Sequence, residues 1–242
     1  LKYYPLAQLG VIGLFVIIAY LLFSTARKAE QNQVWVGMSK ETAHQLGTPL
    51  SSMIGWIELL KEDPKTEHIA KELSKDVDRL NVVTDRFSKI GSQPKLEKSE
   101  LINIIEEAIT YFDARTGEPV KFEKILPSSI QLVLSRSLFE WVIENLIKNA
   151  LDAMEGKGTI TVSVEEQSDR VYIDISDTGK GIPQSQFKSV FQPGYTSKKR
   201  GWGLGLSLSK RIIKEYHKGK IYVLKSEIGK GTTFRISLKK TI

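Results

Sequence analysis

His44 follows Ala43, a residue of an apolar helical seam, by one position, so its imidazole points away from that seam. An exposed, neutral imidazole is a competent nucleophile near pH 7. Thr48 lies one turn further on the same face, and Pro49 interrupts the helical ladder there. A lone surface histidine more often does no chemistry, and His68 and His217 sit in helix-end contexts with no role assigned to them. Glu144, Asn145, Asn149 and Asp152 belong to one strong helical pattern, with Asn145 and Asn149 four apart on one side of it. An amide oxygen suits a magnesium ion that keeps several waters and bridges phosphates. The solvated face of an amphipathic helix has the same composition.

Two glycine-rich segments complete the set. Asp177-Thr178-Gly179-Lys180-Gly181 follows a strand ending in Asp174-Ile175-Ser176. Its carboxylate can accept from an exocyclic amine while the glycines let the backbone close around a flat ring. An Asp-Gly turn between two elements reads the same way. Gly201-Trp202-Gly203-Leu204-Gly205-Leu206 opens a helix, where glycines let backbone N–H groups approach phosphate oxygens. A flexible hinge is an equal reading, and no parallel strand–turn–helix unit precedes it as a dinucleotide fingerprint requires.

The elements that must position these residues are legible in outline. The chain has 242 residues, 41% hydrophobic and 26% charged, which suits a folded protein of one or two domains plus an appendage. The absence of cysteine excludes disulfides, thiolate catalysis and cysteine-based zinc sites. The net charge is +7, but Lys and Arg are scattered among Asp and Glu with no aromatic-interleaved basic stripe, so no nucleic-acid partner is expected. Leu1 in place of Met marks a processed chain or a piece of a longer one.

Residues 6–23 (LAQLGVIGLFVIIAYLLF) carry no charge and match the length of a membrane-spanning helix. Tyr3 and Tyr4 precede the run and Arg27 and Lys28 follow it, which places the C-terminal side in the cytoplasm. A cleaved signal peptide is the rival, but the basic residues lie after the run and no small-residue cleavage pattern follows. Residues 29–60 carry a seam at Ala43, Leu46, Leu50, Met53, Ile57 and Leu60. A turn at Asp63-Pro64 separates it from a second stripe at Ile69, Leu73, Leu80, Val83, Phe87 and Ile90, interrupted by Asp76. One such hairpin buries little, whereas two from a homodimer close a four-helix bundle. A hairpin packed on the next domain is the other reading.

Gly91-Ser92-Gln93-Pro94 breaks the helix, giving 1–26 as the membrane segment, 27–93 as the hairpin and 94–242 as a mixed domain. In the last, helices are expected over 101–112, 137–154 and from Gly203 to Tyr216. Strands are expected over 120–126, 130–134, 159–164, 171–176, 221–225 and 232–238. Few helices and adjacent antiparallel strand pairs predict an α/β sandwich with one helical layer.

In order, these segments resemble those of the bacterial sensor histidine kinases from residue 29 to the C-terminus. Residues 41–50 (ETAHQLGTPL) resemble that family's phosphoacceptor box and 144–153 (ENLIKNALDA) its asparagine box. Residues 177–181 match its first glycine box, 191–198 (FQPGYTSK) its lid segment, 201–206 its second glycine box and 229–234 (GKGTTF) its closing box. The resemblance implies an ATP-dependent protein-histidine kinase in which His44 takes the γ-phosphoryl group and passes it to an aspartate of a response regulator. It implies Asn149 as the Mg2+ ligand, supported by Asn145 and Glu144. Asp177 would read the adenine amine, with Gly179 and Gly181 giving clearance and Thr232 nearby. Gly201, Gly203, Leu204 and Gly205 would frame a lid over the phosphates, with Lys198 or Arg200 as charge partners. Thr48 would position water for phosphatase activity. Homodimerisation and a place in the bacterial inner membrane, catalytic part in the cytoplasm, go with it. No receiver domain is expected after the closing box.

Gln45 departs from the pattern, since the family usually has Glu or Asp after the histidine, the residue thought to accept the imidazole proton. Either Gln45 orients the ring while water or Glu144 takes the proton, or autophosphorylation is slow and the protein is phosphatase-biased. Tyr195 replaces a common second phenylalanine in the lid. Topoisomerase, chaperone and mismatch-repair ATPases share the nucleotide fold but lack the preceding acceptor hairpin. A membrane-tethered scaffold with degenerate motifs is a third reading, against which Asn149, Asp177 and the glycines count.

Overall fold

The computed structural model describes residues 3–90, 94–197 and 203–240, and within α1 and α2 the side chains of only part of the residues. The chain divides into two units, Leu1–Gln93 and Pro94–Ile242. The first holds two helices, α1 (Tyr4–Lys61) and α2 (Glu67–Ile90). Where the sequence suggests an apolar helix and a separate hairpin arm, α1 runs through both without a break. Pro5 at its first turn costs no hydrogen bond, because the N–H it lacks is an orphan there.

The turn between the helices is built by its side chains. Asp63 Oδ1 accepts the Lys65 N–H at 2.9 Å, and the Thr66 hydroxyl donates to the Leu60 carbonyl at 2.7 Å. Both bonds tie up backbone groups that would otherwise extend α1. The hairpin buries Leu50 and Ile57 of α1 against Ala70 and Val77 of α2, with Leu60 packed alongside. The expected stripes therefore divide. Leu46, Met53, Ile69, Leu73 and Leu80 stay exposed, and Ala70 and Val77 take the inward positions assigned to their neighbours. A hairpin this narrow can bury only one seam, and small Ala70 lets the two helices approach. Val83, Phe87 and Ile90 lie outside the described side chains. Among the described residues no helix is long and apolar enough to cross a membrane, so the span expected over 6–23 is not met there; the side chains of Leu6 and Ala7 fall outside the described ones.

The second unit is a two-layer α/β sandwich. Five strands order as β2 (Val120–Ile125), β4 (Gly158–Glu166), β5 (Arg170–Asp177), β7 (Gly231–Lys239) and β6 (Lys220–Glu227). The sheet is mixed, not all antiparallel, because β2 pairs with β4 in parallel while the other neighbours are antiparallel. Buried and half-buried residues alternate along β5, as period-two geometry demands. Ile160, Ile173, Ile175 and Ile236 form the inner face, covered by α3 (Leu101–Thr116) and α4 (Arg136–Ala153) through Ile105, Phe139, Ile143 and Ile147.

A small sheet pairs β1 (Glu97–Glu100) with β3 (Gln131–Leu134). Sequence reading misses β1, whose Glu-Lys-Ser-Glu carries no apolar signal; its pairing with β3 makes it a strand. Glu100 then accepts from the Ser129 hydroxyl (2.6 Å) and Ile130 N–H (2.7 Å) and caps α3 at Ile102 N–H, bonds that pull its carboxyl below the usual carboxylate range. The final helix, α5 (Gly205–Arg211), continues as a π-helical turn, Ile212–Tyr216.

Candidate functional site

α4 is the platform of the site. It starts at Ser135, whose N–H donates to His217 Nε2 at 3.1 Å, while His217 Nδ1 lies 3.0 Å from the Ile212 carbonyl. The carbonyl can only accept, so Nδ1 carries the proton and Nε2 the lone pair. Sequence reading assigns His217 no role; in the fold it is 5% exposed and ties the end of the α5 segment to the start of α4. Burial pushes its pKa down and keeps the ring neutral. The π-helical turn widens the backbone just before it and delivers the ring to Ser135.

Two turns into α4, Asn145 Nδ2 donates to Ser209 Oγ on α5 at 2.9 Å. A Cβ on Gly205 would collide with Asn145 Oδ1, so a side chain there would push the Asn145 amide from its place. Asn149, one turn on, faces the same side, and both line a cavity of about 560 Å³.

The cavity's opposite wall comes from the end of β5 and the loop after it. Asp177 is 7% exposed, and its Oδ1 accepts the Gly179 N–H at 2.8 Å. Burial pushes its carboxyl up, against the opposing backbone bonds from Gly179 and Thr232. Gly181 has φ +74°, and a Cβ there would run into the Glu227 carbonyl, so the loop passes β6 at backbone contact. Thr232, opposite Asp177 in the ladder, shares a 2.9 Å hydroxyl contact with Ser226, which also accepts the Ile182 N–H. These bonds fix the floor around one buried carboxylate.

Asn145, Asn149, Asp177, Gly181, Gly203, Leu204, Gly205 and Thr232 all line the cavity. Glu144 and Gly179 do not; Gly179 packs behind it, against the Ala153 backbone. Lys198, Arg200 and Gly201 lie outside the described residues. His44, Gln45 and Thr48 sit exposed on α1, in the other unit. Gln45 Nε2 donates to Glu41 Oε1 at 2.6 Å.

Tyr195 and Ser197 of the expected lid segment line the cavity, as do Lys148 and Lys180, to which sequence reading gives no role. Lys148, three residues after Asn145, could have been found by helical spacing. Lys180 could not, since its Nζ reaches Ser197 Oγ (3.1 Å) only through the folded loop. The Tyr195 hydroxyl donates to Gln186 Oε1 at 2.6 Å, which holds the lid segment's first half to the loop below.

The site can hold a flat, amine-bearing ring against Asp177 and place attached phosphates near Asn149, Lys148 and the start of α5. Among the described residues no three His, Cys, Asp or Glu side chains gather as a metal site. A divalent ion here would have the Asn149 amide, water and phosphate oxygens as ligands, the donor set that suits magnesium.

Residues 135–242 match the family of histidine kinase-, DNA gyrase B- and HSP90-like ATPases. The chain is 29% identical to Sporulation kinase D of Bacillus subtilis over 240 residues, 93% of this chain and 47% of that one. It is 32% identical to the sensor histidine kinase ZraS of Salmonella typhi over 224 residues, 88% of this chain and 48% of that one. The chain thus spans about half the length of these relatives. Among solved structures, the catalytic domain of the histidine kinase ThkA is 26% identical with a TM-score of 0.56, covering 60% of this chain and 96% of that one. The structure of ThkA in complex with the response regulator protein TrrA is 25% identical with a TM-score of 0.54, covering 85% of this chain and 61% of that one.

Proposed function

We propose, since this chain belongs to the bacterial sensor histidine kinase family, that it binds ATP in the cavity of its second unit and phosphorylates His44. The phosphoryl group then passes to an aspartate of a response regulator. The observation that carries this is the cavity lined by Asn149, Asp177 and Gly203–Gly205 in the same chain as an exposed His44.

In this reading Asp177 accepts from the adenine amine, and Gly181 and Thr232 shape the ring's slot. Asn145, tied to Ser209, keeps α5 and the lid root in register with α4. Asn149 would hold Mg2+, which would supply positive charge against the charge developing on the phosphates. Lys148 and Lys180 add positive charge beside the phosphates. The protein's contribution is mainly positioning and charge compensation, as is general for phosphoryl transfer. Thr48, one turn from His44, has a hydroxyl placed to hold water against a phosphorylated partner.

The exposed residues Leu46, Met53, Ile69, Leu73 and Leu80 support a homodimer in which two hairpins bury each other's second seam. Leu9, Phe15, Leu22 and Phe23, each about two-thirds exposed on α1, support lipid contact by that segment. Arg27 and Lys28 after it put the catalytic part on the cytoplasmic side. The receiver partner is supported by the ThkA–TrrA complex.

Incubation with γ-labelled ATP and Mg2+ is expected to give an acid-labile, alkali-stable phosphoryl group that His44→Ala eliminates. Wild-type protein that never labels, or His44→Ala that still does, would overturn the reading.

A further inference from the structure

Position 45 holds a carboxamide, so the proton leaving the His44 ring needs another acceptor. On a helix the neighbours of residue 44 are residues 40, 41, 47 and 48, three and four positions away. In this chain they are Lys, Glu, Gly and Thr, so Glu41 is the one carboxylate among them. Helical side chains lean toward the N-terminus, which brings an imidazole at 44 over the turn that carries position 41. Gln45, four positions from Glu41, lies over the same residue, and its Nε2 donates to Glu41 Oε1 at 2.6 Å.

That bond has two consequences. A carboxylate only accepts, so it fixes which end of the Gln45 amide faces it. It also holds the Glu41 carboxylate on the helix face it shares with His44, restricting a side chain that would otherwise sample many rotamers. A carboxylate has about four acceptor positions, so one bond leaves capacity for a second donor. Glu41, His44 and Gln45 are all exposed, open to an incoming phosphate.

We propose that Glu41, held in place by Gln45, is the proton acceptor for His44 during phosphoryl transfer; this rests on the kinase reading above. One ring nitrogen of neutral His44 forms a bond to the γ-phosphorus as the bond from phosphorus to the β–γ bridging oxygen breaks. ADP leaves with that electron pair. The proton on the other ring nitrogen passes to the Glu41 carboxylate, leaving neutral-ring phosphohistidine, and Glu41 later releases the proton to water. Gln45 is then a positioning residue that secures the base from one turn away.

The test uses the full chain with γ-labelled ATP, comparing wild type with Glu41→Gln, Gln45→Glu, the double variant, Glu41→Ala and His44→Ala. Loss of a general base lowers a rate about 10²–10⁴-fold, so Glu41→Gln is expected to label at least about a hundredfold more slowly with nucleotide affinity unchanged. Glu41→Gln combined with Gln45→Glu is expected to recover most of the rate, because a carboxylate is back beside the ring. Added formate is expected to speed Glu41→Ala but not wild type, a response that a purely structural role does not produce. Gln45→Glu removes the bond that secures Glu41 but puts a second carboxylate beside the ring, so with it present the further change Glu41→Gln is expected to alter the rate no more than a few-fold. Wild-type labelling by Glu41→Gln, with His44→Ala silent, overturns the role of Glu41 and leaves the kinase reading standing. So does a slow Glu41→Gln that neither the second substitution nor formate rescues. Absence of label from wild type overturns both.

Discussion

Replacing Asp177 with Asn removes a charge and an acceptor while leaving shape almost unchanged. Asp177 is 7% exposed, and one oxygen already takes the Gly179 N–H at 2.8 Å. In Asp177→Asn the amide oxygen keeps that backbone bond, and the NH2 group then faces the purine amine, donor against donor. A hydrogen bond to a charged group contributes about 1.5–3 kcal/mol, so nucleotide Kd is expected to rise about ten- to a hundredfold. Titration calorimetry with ATP and with inosine triphosphate, whose ring carries a carbonyl in place of the amine, reads this directly. Wild type is expected to prefer ATP, and Asp177→Asn to lose most of that preference. The pH dependence has a defined sign. Burial raises the Asp177 pKa, so acidification protonates it earlier than an exposed aspartate and wild-type ATP affinity falls, whereas Asp177→Asn stays flat in the same window. An Asp177→Asn protein with wild-type Kd and wild-type discrimination would refute the assignment of the ring-binding wall.

The proposed dimer rests on the exposed seam: Met53→Lys with Leu73→Lys is expected to convert it to a monomer by light scattering while helicity is kept, because the buried Leu50, Ile57, Ala70 and Val77 are untouched. A wild-type monomer at micromolar concentration would sink that reading. For His217 the folded pKa is lowered by burial, so the unfolded chain binds the proton first as pH falls. Its stability contribution is full above the ordinary histidine value of about 6.5 and is lost below it, down to the lowered folded value. Urea midpoints are expected to drop over that window in wild type and less in His217→Gln, which keeps an acceptor for the Ser135 N–H; equal slopes would refute it.

Much of this protein is written locally. The hairpin turn is legible because Asp63 and Thr66 satisfy backbone groups within a few residues and Pro64 lacks the N–H to continue the helix. The α4 helix and β4, β5 and β7 are legible because their apolar periods, 3.6 and 2, are set by chain geometry alone. The motif order from His44 to Phe234 points to the nucleotide and the acceptor through its resemblance to the sensor histidine kinases, since each segment alone reads as well as a turn, a hinge or a solvated helix face. What lies far apart in sequence needed the fold. β1 is a strand because β3 pairs with it, and β2 runs parallel to β4 because a helix and strand between them carry the chain back. Which hairpin residues turn inward was decided by how closely two helices can pack around Ala70, so Leu73 and Leu80 stay outside. His217 gained its buried bond from Ser135 across a separation no pattern reports. Asn145 met Ser209 and Gly205 for the same reason: side-chain hydrogen bonds need contact within about 3 Å, and only tertiary packing brings distant residues that close.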